Sequence, residues 1–348
     1  MRTLLASLVL PTLVAAQVQV TLGARQDNTL YQSATGALSN GAGQRMFTGT
    51  NSTSQVRRGL VAFDVAAAVP AGSQILGATL TLNLSQLATA AGTTVGVHAV
   101  TAAWGEGTSV AAGNEGAGAA ATTGDATWLH RSFNTTLWTA VGGDFVATPS
   151  AMSFVQTIGP VAWTSAQLAA DVQGWLLQPA SNFGWMLRGD ETTPTTSARF
   201  DTRENTVVAA RPQLTLVYAP PAAVTVVGAP CQGLGLGAAG LPQVGNAAFA
   251  LDVTGGTPGH FAVLWLTPAL LAAPLPFGNG CLLHVDLLLQ LAVWSNPLDP
   301  LGGAHFGLPV PADQTLQGAV AHTQAIAIDI TQLTQPVGTN ALSLRLGQ

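Results

Sequence analysis

The sequence contains no lysine: all 11 basic residues are arginine, and charged residues make up only 8% of the 348. Without lysine no P-loop can be completed and no Schiff base can form on a side-chain amine. A formal charge of -5 gives nucleic acid no electrostatic footprint. Cysteine is nearly absent, with only Cys231 and Cys281. Two thiolates with no His pair at ligand spacing leave zinc short of its usual four ligands, and no His-Glu-x-x-His pattern supplies another metal site. No cofactor is implied. Long apolar runs are missing as well. The stretch from Leu4 to Ala16 is shorter than the roughly 18–20 residues of a spanning helix, so no membrane span is expected.

That same stretch follows Met1-Arg2 and ends in Val14-Ala15-Ala16, the small-residue pattern that signal peptidases cut. Residues 1–16 therefore read as a signal peptide cleaved after Ala16, and the protein as secreted or held at the cell surface. In an oxidising compartment Cys231 and Cys281 read as a disulfide. The loop they close, about 50 residues, contributes roughly 4 kcal/mol in the chain-entropy model.

What remains after cleavage is long enough for two ordinary cores, and 39 Gly and 20 Pro fit short strands joined by many turns. Apolar residues alternate with polar ones in Val18, Val20 and Leu22, in Ala78, Leu80, Leu82 and Leu84, and in Leu214, Leu216 and Tyr218, a period of two that sets one face in a core. The fold class expected is all-β, with two β-sandwich, jelly-roll-like domains and one short helix in the first. That helix spans about Ser165 to Leu176, with Leu168, Val172, Trp175 and Leu176 on one face and Thr164 or Ser165 as its cap. Ser109 to Asp125 is almost all Ala, Gly, Thr and Ser, too small to pack, and reads as a mobile surface loop. Pro220-Pro221 cannot continue a strand ladder, so residues 220–226 read as a linker between a first domain, 17–219, and a second, 227–348.

Several stretches of the first domain carry a likeness to a known family. They are Asp27-Asn-Thr-Leu30, Arg58-Gly-Leu-Val-Ala-Phe-Asp64, the run from Pro70 to Leu82, Trp104 with Glu106-Gly107, Asp171-Val-Gln-Gly-Trp175, Asn182-Phe-Gly-Trp185, Phe200 with Arg203-Glu204, and Arg211-Pro-Gln-Leu214. In this order they resemble the DNRLRE domain, a β-sandwich module of extracellular bacterial and archaeal proteins related to carbohydrate-binding modules for acidic polysaccharides. The Ala/Gly-rich insert after Trp104 departs from that pattern. The second domain loosely resembles a C-terminal β module of secreted bacterial proteins, with no activity to carry over.

Motifs for catalysis are scarce. Gly235-Leu-Gly237-Ala-Ala-Gly240 matches a dinucleotide fingerprint, but Pro242 interrupts the helix it needs and no acid follows at the ribose distance. No Gly-x-Ser-x-Gly elbow is present, and His98 alternates with Val95 and Val97 as a hydrogen-bonded surface residue would. Asp190-Glu191 and Asp201 with Glu204 adjoin arginines, which favours ion pairing over glycoside hydrolysis. Strand parity makes one positive prediction. If Val61, Phe63, Trp185, Leu187 and Phe200 point inward, then Arg58, Arg188, Arg199 and Arg203 point outward. Guanidinium forks match carboxylates, so a stripe of these arginines would suit a uronate chain, with Trp104 beside the loop as an exposed stacking platform. The alternative is that Arg188 and Arg203 pair with Asp190, Asp201 or Glu204 and stitch the surface. The function expected is a secreted, non-catalytic protein that binds acidic polysaccharide. A structural component of an extracellular matrix or cell surface comes second, and an enzyme acting on polysaccharide third.

Overall fold

The computed structural model describes residues 17–348, so the leader 1–16 and its cleavage site lie outside the described residues. It is an all-β protein in two compact units, Val18–Tyr218 and a second running from Ala219 to Gln348.

In the first unit one sheet runs Val18–Gly23, Gln213–Ala219, Gln74–Leu87, Ala198–Asp201, Arg45–Thr50, with Gly159–Thr164 also paired to Gln74–Leu87. In the other, Val56–Ala62 pairs with both Gln26–Tyr31 and Trp185–Arg188, and Thr93–Ala99 and Ala151–Val155 follow. The strand Arg45–Thr50 belongs to both. Its first four residues pair with Ala198–Asp201, while Gly49 and Thr50 pair with Arg57 and Val56. Between the sheets lies the core that the alternation pointed to. Leu80, Leu82 and Leu84 meet Val61, Phe63, Trp163, Trp185 and Phe200, all fully buried.

The outer face of the second sheet is covered over its central strands, although Met152 and Phe154 on the strand Ala151–Val155 are exposed. Leu60, Ala62 and Met186 pack there under Trp104, Trp128 and Trp138, supplied by the chain between the strands Thr93–Ala99 and Ala151–Val155. Burying each Trp removes about 150–250 Å² from water, an upper estimate of roughly 4–6 kcal/mol apiece. The chain therefore adds a third layer, and Leu60, Val61 and Ala62 are all fully buried because both faces of their strand are covered. Phe183 joins this outer core rather than the inner one that Trp185 and Leu187 occupy. Gly184 between them has φ +76°, which breaks the period of two; a Cβ there would sit 2.2 Å from the Val61 carbonyl oxygen.

Residues 109–125 correct the expectation of a mobile loop. The Asn40 Oδ1 accepts from the Ala111 amide at 2.8 Å, the Glu115 carboxylate accepts from the Arg45 amide at 2.8 Å, and Tyr31 donates to the Glu115 carbonyl at 2.9 Å. Asp125 is fully buried and accepts from the Thr122 amide at 2.6 Å. Side chain to backbone hydrogen bonds order a segment whose apolar bulk could not.

The helix Ala166–Leu177 forms where its apolar spacing indicates. Ser165 caps it by accepting from the Leu168 amide at 2.9 Å, and Leu168, Val172, Trp175 and Leu176 are its buried residues. Trp175 packs against Trp185 with ring centroids 4.5 Å apart and ring planes tilted by 57°. Asp171 fixes the same corner, accepting from the Trp185 indole at 2.8 Å and from the Ser150 hydroxyl.

The second unit sets a five-stranded sheet (Ala223–Val227, Gln332–Arg345, Val320–Asp329, Phe261–Thr267, Ala292–Pro297) against a three-stranded one (Gly235–Ala239, Ala250–Thr254, Ala304–Gly307). Their core holds Leu236, Phe249, Leu251, Val253, Leu264, Phe306 and Leu342. The segment 220–226 is not a free linker. Ala223–Val227 is a strand paired with Gln332–Arg345, so the prolines only precede a new ladder. Cys231 and Cys281 form a disulfide with their Cα atoms 5.5 Å apart. Gly235, Gly237 and Gly240 sit on and just after a strand, which disposes of the dinucleotide reading.

Candidate functional site

Parity places Arg58 and Arg188 on the outer face of the second sheet, as expected, but the third layer encloses them. Both guanidiniums hold one carboxylate. Arg58 Nε and Nη2 reach Glu191 at 2.7 and 2.9 Å, and Arg188 Nη2 reaches it at 2.7 Å. Arg58 also donates to the Gly142 carbonyl at 2.7 Å and lies 4.8 Å over the Trp128 ring, while Arg188 lies 4.8 Å over Phe145. Burial alone would raise the Glu191 carboxyl, yet the hydrogen bonds and charges of the two arginines outweigh it and hold that carboxyl below its usual range. Trp104 is 7% exposed and donates its indole N–H to the Phe183 carbonyl at 2.8 Å, so it is a core residue and no stacking platform. His98 is buried as well, bonded through Nδ1 to the Val146 carbonyl at 2.9 Å, and desolvation lowers its pKa.

Arg203 lies beyond the end of the strand Ala198–Asp201 and does not share the carboxylate that holds Arg58 and Arg188. It pairs with Glu106 at 2.5 Å and with Glu204 at 2.9 Å. Its own amide donates to Asp27 Oδ2 at 2.8 Å. Asp27, Glu106 and Glu204 thereby each bring a carboxylate oxygen within 4.8 Å of one another. Burial, then the Glu204 charge, pushes the Asp27 carboxyl well above the usual carboxylate range. Positions 27, 106 and 204 are too far apart for any local motif to reveal this cluster, although each fell within a family-like stretch.

Arg199 is the one member of the expected stripe without a carboxylate partner among the described residues. It is half-buried on the outer face of the first sheet, with Nε on the Ser85 hydroxyl at 3.1 Å. Phe47 stands opposite it on one neighbouring strand and Gln86 on the other, a row of three across the sheet. At the end of this row opens a cavity of about 230 Å³, lined also by Arg57, Asn51 and Asn114. Arg57 is 4% exposed and makes no ion pair among the described residues; its guanidinium lies 4.9 Å over the Tyr31 ring and donates to the Gly116 carbonyl at 3.4 Å. Desolvation lowers the pKa of both arginines, and the neighbouring Arg45 charge adds to the effect at Arg199. Such a site favours whatever anion supplies the missing negative charge.

Arg57 escaped the parity argument because it alternates with Val61 and therefore counts as inward. It reaches the cavity because its strand pairs there with Gly49, where the shared strand passes from one sheet to the other.

No family model matches the chain, and no curated protein is similar to it. Among solved structures it is similar to a putative beta-galactosidase from Bacteroides fragilis, at 9% identity and a TM-score of 0.15, over 92% of this chain and 40% of that one. An FMN-binding beta-glucuronidase from Facaelibacterium prausnitzii L2-6 matches at 9% identity and 0.17, over 93% and 39%. A glycosyl hydrolase family 2 member from Bacteroides cellulosilyticus matches at 7% and 0.14, over 92% and 36%. The chain thus spans about two-fifths of the length of these proteins, and scores this low establish no relationship.

Proposed function

We propose that the first unit binds an acidic polysaccharide outside the cell, without catalysis, taking a uronate carboxylate between Arg57 and Arg199. The observation that carries this reading is a pair of partly desolvated guanidiniums, neither ion-paired among the described residues, opening on one cavity with amide and aromatic neighbours. A bidentate carboxylate satisfies a guanidinium fork, and Asn114 and Gln86 offer hydrogen bonds suited to sugar hydroxyls. The likeness of the first unit to the DNRLRE domain supports the same ligand class, and the disulfide supports an oxidising compartment. The non-catalytic reading is supported by the engagement of the acids whose charges reach Arg199: Asp201 is paired with Arg45 at 3.2 Å, and Glu115 accepts from the Asn40 side chain and from the Arg45 amide, both at 2.8 Å.

Affinity electrophoresis of the full chain in polygalacturonate gels tests the assignment. Arg199→Gln should weaken binding at least tenfold while leaving thermal stability nearly unchanged, since Arg199 contributes no ion pair to the fold. Retardation equal to wild type would remove Arg199 from the site, and release of reducing ends from the polymer would contradict the non-catalytic reading.

A further inference from the structure

Two of the three carboxylates in the cluster at Arg203 use their oxygens unequally. Asp27 presents Oδ2 to the Arg203 amide, and Glu204 presents Oε1 to the Arg203 guanidinium. Their other oxygens, Asp27 Oδ1 and Glu204 Oε2, are buried without a hydrogen-bond partner. Asp27 as a whole is fully buried. A buried carboxylate oxygen with nothing to accept from is costly, and two in one place call for a shared positive partner. Arg203 does not fill that role. Its guanidinium is already bonded to both oxygens of Glu106 and to the other oxygen of Glu204. Three carboxylates against one guanidinium leave two negative charges, which a divalent cation neutralises. All available donors are hard oxygens, and carboxylates that can bind through one or both oxygens suit Ca²⁺ better than a soft or strictly octahedral ion.

We propose that Asp27, Glu106 and Glu204 bind one Ca²⁺ ion, oriented by Arg203. The three ligands come from the edge strand Gln26–Tyr31, from the covering layer, and from the turn after Ala198–Asp201. The cation would therefore staple the third layer to both sheets of the sandwich.

The test uses the full chain stripped with EDTA and titrated with CaCl₂ alone. Calorimetry should find one equivalent bound, and at millimolar Ca²⁺ the melting temperature of the first unit should rise by about 5 °C or more. Glu204→Gln should lose both effects, whereas Asp190→Asn, which removes a carboxylate outside the cluster and keeps the Oδ1 that its turn uses, should keep them. Because Glu204→Gln risks misfolding, hydrogen exchange on the wild-type chain gives an independent localisation: Ca²⁺ should slow exchange in peptides covering 26–31, 104–108 and 201–206 by tenfold or more. No bound Ca²⁺ in the stripped chain, binding that survives in folded Glu204→Gln, or protection confined to other segments would each overturn the proposal.

Discussion

Glu191 lies 15% exposed between Arg58 and Arg188 and carries two ion pairs at once. Replacing it with Gln would leave both guanidiniums under the covering layer without their counter-charge. The expected cost is roughly 2–3 kcal/mol, below the 3–5 typical of a fully buried pair because solvent still reaches Arg188. Urea unfolding at pH 7 measures it. Since the folded-state pKa of Glu191 lies below the ordinary 4.5, its stabilisation is complete above that value and fades as pH falls through the lower folded value. The wild type should accordingly lose more stability than Glu191→Gln between pH 5 and pH 2, and parallel acid curves would contradict the pairing. Trp104 makes the opposite kind of claim. As a core residue with a bonded indole it should cost about 3–5 kcal/mol on change to Ala, seen as a lower melting temperature. A fully stable Trp104→Ala that loses only glycan affinity would restore the stacking platform.

At the scale of elements, the strands and the single helix are legible wherever one face meets a core and the other meets water or a polar layer. Leu80, Leu82 and Leu84, and the capped helix with Trp175, fall where period and capping rules set them. The signal fails where its assumption of one wet face fails. Arg58 points away from the inner core yet is enclosed, because the chain between the strands Thr93–Ala99 and Ala151–Val155 folds back as a third layer that hydropathy cannot foretell. The segment 109–125 fails for a related reason: its order comes from Asn40 and Glu115 bonding backbone groups far along the sequence and from Asp125 holding the segment's own Thr122 and Ser109 amides. Asn40 alone bonds the Ala111 amide, the Arg45 carbonyl and Glu115. Asn40→Ala should cost roughly 2–3 kcal/mol and raise proteolysis within 109–125; unchanged protease resistance would show that the segment holds itself. In the second unit the disulfide was legible from compartment and count. Reduction should destabilise that unit by about 4 kcal/mol, read as a calorimetric transition moving to lower temperature. A transition that does not move would mean that the 50-residue loop is already constrained in the unfolded chain.

For the whole molecule, a β-protein in which only 8% of residues are charged concentrates its ionic chemistry in a few enclosed places. Three of these, around Glu191, around Arg203 and at Arg45 with Asp201, pair arginine with acid. The fourth, at Arg57 and Arg199, does not, and the proposed function rests on that difference. Arg199 was legible from strand parity. Arg57 was not, because its partner set depends on how one strand crosses between sheets. The most direct measurement is isothermal titration of the full chain with polygalacturonate and with a neutral glucan, repeated from 50 to 500 mM NaCl. Binding of the uronate polymer alone, weakening at least tenfold over that salt range and lost in Arg199→Gln, is the predicted result. Equal affinity for both polymers, or affinity indifferent to salt, would contradict an arginine site for acidic polysaccharide.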